Sequence, residues 1–467
     1  MNDITIYNYD PTAFLKIREK IYDPERGIKR RESLGQLYII SALREKGYGA
    51  DFKDLQFLNF KEKKDILQFF ENSPDVIGIG CVSRILPSLL LLIKELKKEY
   101  PEKTIILGGP GPTTIAEEIL KISSGVDIIV KGEGEETIVE LMDCLEKNKD
   151  LKNVRGIGYR DGNKIRTNPP RPRIENLDEI PFPARDKLDI KKYDWFGIIT
   201  SRGCPYKCTF CHIPLIWNGG AILRSVDNVI EEIKLIYEKY DHKKICIQDD
   251  TFPVNKKRVL EFCDKLKREK IDVRWLCSGR IDLMDGQIMK KMSESGCDTV
   301  FYGVESGSDK ILRKVKKGFS AKQAEDVLKK SKKYFRNVNT SFIWGFPFET
   351  MEDFKKTIKL AEKLLLKLNV GLRLSILHPL MGTEIYNKYK DSLMPLSSFE
   401  RKSYNILRAA ELIAALKLFN KDKDISKTIG EQPLSIKLEY YRYKNPNFSE
   451  KIKIAGNFIK KHNLNFY

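Results

Sequence analysis

The chain alternates short apolar segments, which predict buried strands, with longer segments at helical spacing, on both sides of a proline-rich stretch. Val76–Cys81 is a segment of the first kind. Ser33–Lys46, with apolar Leu37, Ile40 and Leu43, is one of the second kind. Strands that alternate with helices along a chain form a parallel sheet covered on both faces. The alternation therefore predicts an α/β protein.

Before the proline-rich stretch, the alternation predicts a doubly wound, Rossmann-like sheet over residues 1–150. Its predicted strands, each short, are Ile4–Tyr9, Asp51–Phe57, Val76–Cys81, Thr104–Leu107 and Val126–Val130. Its predicted helices are Ser33–Lys46, Pro87–Glu99, Thr113–Ile122 and Glu135–Glu146. Sheets of this kind bind ligands beyond the carboxyl ends of their strands, so we expect a ligand there.

Two glycine-containing turns lie at that edge, one after each of the last two predicted strands. Their residues are Gly108, Gly109, Pro110 and Gly111 in the first turn and Gly132, Glu133 and Gly134 in the second. Glycine lets the backbone approach a bulky ligand closely because it has no Cβ. Ordinary strand-to-helix turns are also rich in glycine. The alternative that these two turns bind no ligand therefore stays open. Neither turn matches a dinucleotide or P-loop motif.

A bridge over residues 151–195 separates two predicted domains. Arg155–Arg160 and Lys164–Thr167 flank an Asp-Gly-Asn turn and predict a β-hairpin. Five prolines between residues 169 and 183 then preclude regular structure. We therefore expect a linker here.

After the bridge, six strand–helix units over residues 196–385 predict a partial (β/α)6 barrel. The predicted strands are Gly197–Ser201, Lys244–Asp249, Asp272–Ser278, Thr299–Glu305, Thr340–Gly345 and Gly371–Leu377. The predicted helices are Val226–Tyr240, Lys256–Lys270, Gly286–Ser295, Ala321–Tyr334 and Met351–Leu366. In such barrels the chemistry lies at the carboxyl ends of the strands.

A cysteine trio follows the first barrel strand at the spacing C-x3-C-x2-C, formed by Cys204, Cys208 and Cys211. Three thiolates on one loop can hold three corners of a [4Fe–4S] cube and leave one iron open. The alternative is a zinc loop with His212 as fourth ligand. Zinc loops usually pair two C-x2-C halves, and the sequence has no second half.

The remaining composition suits a reducing compartment. Nine cysteines in 467 residues are too few for a disulfide scaffold. The longest apolar run, around Leu89–Ile93, is far shorter than the ~20 residues that span a bilayer, and the N-terminus lacks signal-peptide features. We expect a cytoplasmic protein with no transmembrane segment.

The trio after the first strand of a six-unit barrel resembles the radical SAM superfamily. The N-terminal sheet and the bridge resemble the members that carry an N-terminal cobalamin-binding domain. The supporting motifs are Ser33–Gly35, Leu107–Pro110 and Lys131–Glu135, and the resemblance covers about residues 1–385. It implies three cofactors: a [4Fe–4S] cluster ligated by the trio, S-adenosylmethionine (SAM) on the open iron, and cobalamin.

The resemblance also implies SAM contacts at the strand ends. Phe210 would lie near the adenine, Asp249 or Asp250 would meet the amino group, and Arg280 would pair with the carboxylate. Glu305 and Ser306 would contact the ribose hydroxyls, and Gly345 would support the adenine through its backbone. A helix cap for the aspartates, an ion pair for Arg280 and a structural role for Glu305 stay open. His378 is a candidate substrate contact or proton donor, or an ordinary loop histidine.

The histidine positions constrain the corrin. Many cobalamin proteins place a histidine under cobalt, but no histidine precedes His212 in this chain. If cobalamin binds, the resemblance implies a base-off form without a histidine ligand, with the glycine turns lining the corrin. A degenerate domain that binds no corrin stays open as the alternative.

The resemblance predicts a C-methyltransferase acting on an unactivated carbon. In this chemistry the cluster reduces SAM, a 5′-deoxyadenosyl radical removes a substrate hydrogen atom, and the substrate radical takes a methyl group from methylcobalamin. The alternatives are oxidative cyclisation or rearrangement without methyl transfer, RNA modification, and a non-enzymatic corrin- or lipid-binding protein. The implied partners are a small-molecule, lipid or peptide substrate and an external electron donor such as flavodoxin or ferredoxin.

The net charge of +19 and the tail leave two further questions open. The charge admits a polyanionic partner, but the lysines are interspersed with acidic residues, so we expect a solvated surface and no nucleic acid. Residues 386–467 lie outside the resemblance. Ser397–Asn420 predicts a helix, and the aromatic and basic run Tyr440–Lys444 either grips an anionic substrate or belongs to a helical cap on the barrel.

Overall fold

The computed structural model of the protein describes residues 3–9, 30–58, 60, 62–217, 219–396, 441–462 and 464. These residues form two compact units, one within residues 3–193 and one formed by residues 194–396 with 441–464. The finer division at residues 150, 195 and 385 stays a prediction. Within the described residues, no helix is both long and apolar enough to cross a membrane.

In the described part of the first unit, seven strands form one sheet in the order β2-β1-β3-β4-β5-β6-β7. The strands are β1 Ile4–Asn8, β2 Ala50–Asp54, β3 Val76–Gly80, β4 Thr104–Gly108, β5 Ile128–Val130, β6 Ile157–Asp161 and β7 Lys164–Thr167. The first five are parallel, and the last two are antiparallel. The strand order reverses between β1 and β3, which defines the switch point of a doubly wound sheet.

The helices of the first unit cover this sheet. They are α1 Leu34–Glu45, α2 Lys63–Glu71, α3 Leu86–Glu99, α4 Pro110–Thr114, α5 Ala116–Ile122 and α6 Glu135–Glu146. The sequence analysis missed α2, whose apolar Ile66, Leu67 and Phe70 are buried. It also predicted one helix over Thr113–Ile122, which the non-helical backbone of Ile115 divides into two.

The hairpin of the predicted linker joins the first sheet. Its strand β6 pairs with β5, so that Val130 lies opposite Ile157. Both residues are buried. The pairing stabilises β5, because β6 covers the backbone groups that would otherwise be free at the edge of the parallel sheet. The hairpin is therefore part of the first unit's sheet.

In the described part of the second unit, six parallel strands form an open sheet in the order β15-β14-β13-β12-β11-β8. They are β8 Phe196–Ile198, β11 Lys244–Ile247, β12 Arg274–Gly279, β13 Cys297–Glu305, β14 Asn337–Trp344 and β15 Gly371–Ile376. Two short strands, β9 Ser201–Arg202 and β10 Ile222–Leu223, pair beside it. The predicted α/β fold class, with a partial six-unit barrel, is confirmed.

Helices follow the barrel strands in turn. They are α7 Ile213–Trp217, α8 Val226–Lys239, α9 Lys256–Arg268, α10 Gly286–Glu294, α11 Asp309–Lys314, α12 Ala321–Ser331, α13 Met351–Leu368 and α14 Glu384–Tyr389. After them, β16 Leu393–Pro395 pairs with β17 Tyr441–Tyr443, and helix α15 Phe448–Lys461 follows. The predicted helix Ser397–Asn420 lies outside the described residues.

Candidate active site

The three clustered cysteines lie on the loop that follows the first barrel strand. Gly203, with φ of +91°, turns the chain out of β9 directly before Cys204. All three thiols are half-buried and free. Burial raises the pKa of the Cys211 thiol to about 11, so a metal must displace its proton when it becomes a ligand.

Backbone hydrogen bonds hold this loop from two sides. The N–H of Thr209 donates to the carbonyl of Val315 at 3.3 Å, and the N–H of Ile385 donates to the carbonyl of Thr209 at 3.0 Å. The turn after α11 and the start of α14 therefore fix the middle of the loop. This fixation positions the thiols that flank Thr209.

The two aspartates after β11 have different surroundings. Asp249 is buried and accepts hydrogen bonds from the N–H and hydroxyl of Thr200, at 2.6 and 2.5 Å, and from the hydroxyl of Ser201 at 2.7 Å. Asp250 is half-buried and accepts from the N–H of Gly203 at 3.1 Å. Both oxygens of Asp249 are thus used to hold the barrel strands, and Asp250 is the better placed candidate for the SAM amino group.

Arg258 completes the support around Asp249 and was not predicted from the sequence. Its guanidinium is buried and donates to the hydroxyl of Thr200 at 3.2 Å and to the carbonyl of Thr200 at 2.9 Å. Burial raises the pKa of Asp249, and the charge of Arg258 opposes that rise. The hydrogen bonds from Thr200 and Ser201 oppose the rise as well, and together with Arg258 they stabilise the buried Asp249.

Arg280, predicted to bind the SAM carboxylate, contacts the cysteine loop. Its guanidinium stacks on the ring of Tyr206, 3.6 Å from the centroid, and Nη1 lies 3.8 Å from the sulfur of Cys208. Nη2 donates to the carbonyl of Lys317, and Nε lies 2.7 Å from Asp282. These contacts place the guanidinium beside a predicted cluster ligand, and its pairing with the SAM carboxylate stays a prediction.

We expect Arg280→Met to keep about four irons per chain and to lower the reduction potential of the cluster by roughly 60–120 mV. A charge-assisted hydrogen bond contributes about 1.5–3 kcal/mol, and about 1.4 kcal/mol corresponds to 59 mV for one electron. Redox titration followed by EPR measures this shift. The control is Arg274→Met, at the exposed start of β12, the strand that Arg280 follows. An unchanged potential with weakened SAM binding would restore the carboxylate role.

Glu305 ends β13 in a left-handed conformation, with φ of +70°. Its carboxylate is buried, pairs with Lys317 at 3.3 Å and accepts from the hydroxyl of Ser341 at 3.3 Å. A non-glycine residue in this region is strained, and such strain concentrates at functional sites. Glu305 therefore remains a candidate ribose contact, with Lys317 as a partner that the sequence analysis missed.

Ser306, the second predicted ribose contact, faces helix α13. Its hydroxyl lies 3.0 Å from the hydroxyl of Thr357, accepts from the N–H of Ser308 and is fully buried. These bonds hold the end of β13 against the helix. Ser306 thus supports the end of β13, and its contact with the ribose stays a prediction.

Gly345 follows β14 and opens a turn that contacts the cysteine loop. Its φ is +87°, and its N–H donates to the carboxylate of Glu349 at 2.9 Å. The ring of Phe346 packs edge-on against the ring of Phe210, with 6.1 Å between centroids. The predicted adenine-side residues Phe210 and Gly345 thus lie on two loops in contact. His378, half-buried, follows β15.

The two glycine turns of the first unit are brought together by Thr113. Its hydroxyl donates to the carbonyl of Gly109 at 2.8 Å and accepts from the N–H of Gly132 at 3.1 Å. A Cβ at Gly132 would meet no atom within 4 Å, whereas one at Gly109 would lie 2.6 Å from the carbonyl of Cys81. Gly132 therefore leaves open space at the strand ends, and Gly109 permits close backbone packing.

The other residues predicted at these turns also differ in whether they leave space or pack closely. Gly108 and Pro110 are half-buried and exposed, respectively, and a Cβ at Gly108 would have room. The carboxylate of Glu133 accepts from the N–H of Ile174 at 2.8 Å, which ties the turn to the proline-rich segment. A Cβ at Gly134 would lie 2.7 Å from the flexible end of Ile39 and 3.6 Å from a methyl group of Val130.

The residues fit the implied cofactors by donor chemistry and by space. Three free thiols on one loop are the ligands that an iron–sulfur cluster takes, and Arg280 places a cation beside one of them. At the strand ends of the first unit, Gly108 and Gly132 leave space that a side chain would fill. In that unit the described residues include no histidine to serve as a cobalt ligand.

Comparison with family models gives two matches. The Radical SAM superfamily model matches residues 198–361, and the B12 binding domain model matches residues 31–142. The first range contains the cysteine loop and five of the strand ends described above. The second contains both glycine turns.

Three known proteins show how far the likeness extends. An uncharacterized methyltransferase of Pyrococcus horikoshii is 37% identical over 341 residues, which cover 71% of this chain and 73% of that protein. An anaerobic magnesium-protoporphyrin IX monomethyl ester cyclase of Synechocystis is 26% identical and covers 68% of this chain and 65% of the cyclase. The solved structure of OxsB, a cobalamin-dependent SAM radical enzyme, has a TM-score of 0.73 at 18% identity and covers 98% of this chain and 67% of that one. That structure shows a shared fold.

Proposed function

The chain belongs to the radical SAM superfamily members that carry a B12-binding domain, and we propose that it is a cobalamin-dependent methyltransferase acting on an unactivated carbon. The family's cofactors are a [4Fe–4S] cluster, SAM and cobalamin, which is the predicted set. The observation that carries the proposal is the methyltransferase relative of Pyrococcus horikoshii, whose identity extends over 341 residues.

When bound, the three cofactors supply the electron, the radical and the methyl group. The chain's own residues bind and orient them. Cys204, Cys208 and Cys211 would hold the cluster, and the contacts of Thr209 keep their loop in place. Asp250 and Glu305 would hold the amino group and the ribose of SAM at the strand ends. Orientation of this kind lets a radical meet one chosen C–H bond.

Oxidative cyclisation is the second candidate, since a cyclase is among the relatives. Its identity to this chain is 26%, against 37% for the methyltransferase relative. Methyl transfer is therefore the better supported reaction. We propose an external one-electron donor such as flavodoxin or ferredoxin and a cytoplasmic location, because free thiols and a reduced cluster need a reducing compartment.

The corrin half of the proposal is tested by loading and spectroscopy. The protein is incubated with hydroxocobalamin, freed of excess, reduced by one electron and examined by EPR. We expect about one corrin per chain and no superhyperfine splitting from an axial nitrogen, since no histidine precedes His212 and the base-off form keeps the corrin's own base away from cobalt. Nitrogen splitting would contradict the base-off form, because either the corrin's own base or a histidine would then be bound to cobalt. If the protein retains no corrin, the proposal that it is a cobalamin-dependent methyltransferase is wrong.

A further inference from the structure

Two side chains of the C-terminal segment bind the turn that follows β14. Lys451, in the first turns of α15, donates to the carbonyl of Glu349 at 2.9 Å and lies 3.2 Å from its carboxylate. Asn445, just before the helix, donates to the carbonyl of Phe346. Lys451 also donates to Asn445 at 2.7 Å. A segment about 100 residues later in the chain thus closes a hydrogen-bonded cluster on residues 345–349.

This cluster is buried and charged. The side chains of Glu349 and Lys451 are both 0% exposed. Burial raises the pKa of Glu349 to about 7 and lowers the pKa of Lys451, as expected for two charges removed from water. Within the described residues, Oε1 of Glu349 accepts no hydrogen bond. Removing Lys451 would therefore leave a buried carboxylate with the N–H of Gly345 as its remaining support.

Aromatic contacts also hold this C-terminal segment against the second unit's barrel. Phe448, the first residue of α15, packs on Trp344 with 5.1 Å between ring centroids, and Arg442 stacks on Phe448 at 3.8 Å. Tyr443 is buried in one apolar cluster with Phe346, and Phe210 packs against that cluster. In the run Tyr440–Lys444, considered above as an anionic-substrate grip, Arg442 and Tyr443 are therefore buried, whereas Tyr441 is half-buried and Lys444 is exposed.

The contacts continue from this turn to the cysteine loop. Phe346, whose carbonyl binds Asn445, packs against Phe210, and Phe210 directly precedes Cys211. The order of contact is thus from Lys451 and Asn445 to the turn and from the turn to the loop that carries the trio. Each member belongs to the second unit.

We propose that Asn445 and Lys451 are positioning residues for SAM, which hold the Gly345–Glu349 turn and, through Phe346, the cysteine loop in the SAM-binding arrangement. The proposal rests on the proposed function only in taking SAM as the ligand of this site. It gives the C-terminal helix a part in the active site, although the helix follows the barrel core in sequence.

The test uses the full chain with its reconstituted cluster and compares four variants. Lys451→Met removes the charge but keeps the aliphatic stem, and Asn445→Ala is a milder change. Glu349→Gln with Lys451→Met replaces the pair by neutral groups of similar shape. Lys461→Met, on the exposed end of the same helix, is the matched control.

We expect Lys451→Met to weaken SAM binding at least tenfold and Asn445→Ala to weaken it less, while both keep about four irons per chain. The reduced cluster's EPR signal, which changes when SAM binds iron, should need correspondingly more SAM. The double variant should stay close to Lys451→Met, because it lacks the hydrogen bonds from Lys451 to the carbonyl of Glu349 and to Asn445 even though it has no unpaired charge. The control should match the native protein.

The outcomes separate positioning from general stability. SAM affinity equal to that of Lys461→Met in both Lys451→Met and Asn445→Ala would overturn the proposal. Native-like SAM affinity in the double variant would also overturn it, because the loss in Lys451→Met would then come only from the unpaired charge of Glu349. If Lys451→Met does not fold, the result for Asn445→Ala decides. SAM binding and cleavage are measured without a methyl acceptor, so failure of the methyltransferase proposal leaves these readouts intact.

Discussion

A variant in which Cys204, Cys208 and Cys211 are all alanine should purify without the brown chromophore and should cleave no SAM. The trio lies on one loop, and its three thiols are free to act as ligands. The other cysteines are separated in sequence, and most are buried in the core. The fold brings Cys263, Cys277 and Cys297 near one another, but all three are buried in the core, where a cluster cannot enter during reconstitution.

Iron content and 5′-deoxyadenosine formation measure this effect. The control is Cys144→Ala, which removes a half-buried thiol of the first unit and should keep both. About four irons per chain in the triple variant would show that the cluster site has been assigned wrongly.

Gly109→Ala should abolish cobalamin retention and leave SAM cleavage intact. Gly109 has φ of +102°, and a Cβ would lie 2.6 Å from the carbonyl of Cys81 and 3.2 Å from its nitrogen. These are backbone atoms, so the turns after β3 and β4 must separate. The strain alone costs about 1–3 kcal/mol. Corrin bound per chain after desalting is the measurement.

The matched control for this prediction is Gly162→Ala, in the hairpin of the same sheet. Gly162 also has a positive φ, of +57°, but a Cβ there would meet no atom within 4 Å. It therefore places an alanine at a positive φ of the same sheet without the collision. Equal corrin retention in the two variants would show that the Gly109 turn does not shape the cobalamin site.

The sequence predicts those parts of the molecule whose cause is local. Helix Glu135–Glu146 has the predicted bounds because its apolar spacing and flanking turn lie within one segment. The trio is predictable because three ligands share one loop. Helix α2 escapes prediction because a run of lysines and glutamates precedes its short apolar face.

The local sequence does not predict the role of a residue whose partners are distant in the chain. Asp249 looks like a ligand residue at a strand end, but its partners Thr200 and Ser201 lie nearly 50 residues earlier. Ser306 meets Thr357 across 51 residues, and Lys451 meets Glu349 across 102. Nothing in the local sequence distinguishes a lysine that closes a turn from one on a solvated helix face.

Transfer of a labelled methyl group from SAM to the corrin tests the central claim most directly. The reconstituted, cobalamin-loaded protein is reduced anaerobically and given SAM with a ¹³C methyl group, without any substrate. The corrin is then extracted, and its mass is measured by mass spectrometry. The account predicts a corrin that carries the labelled methyl group. A corrin without label, recovered from protein that still forms 5′-deoxyadenosine, would contradict methyl transfer and favour the cyclisation reaction.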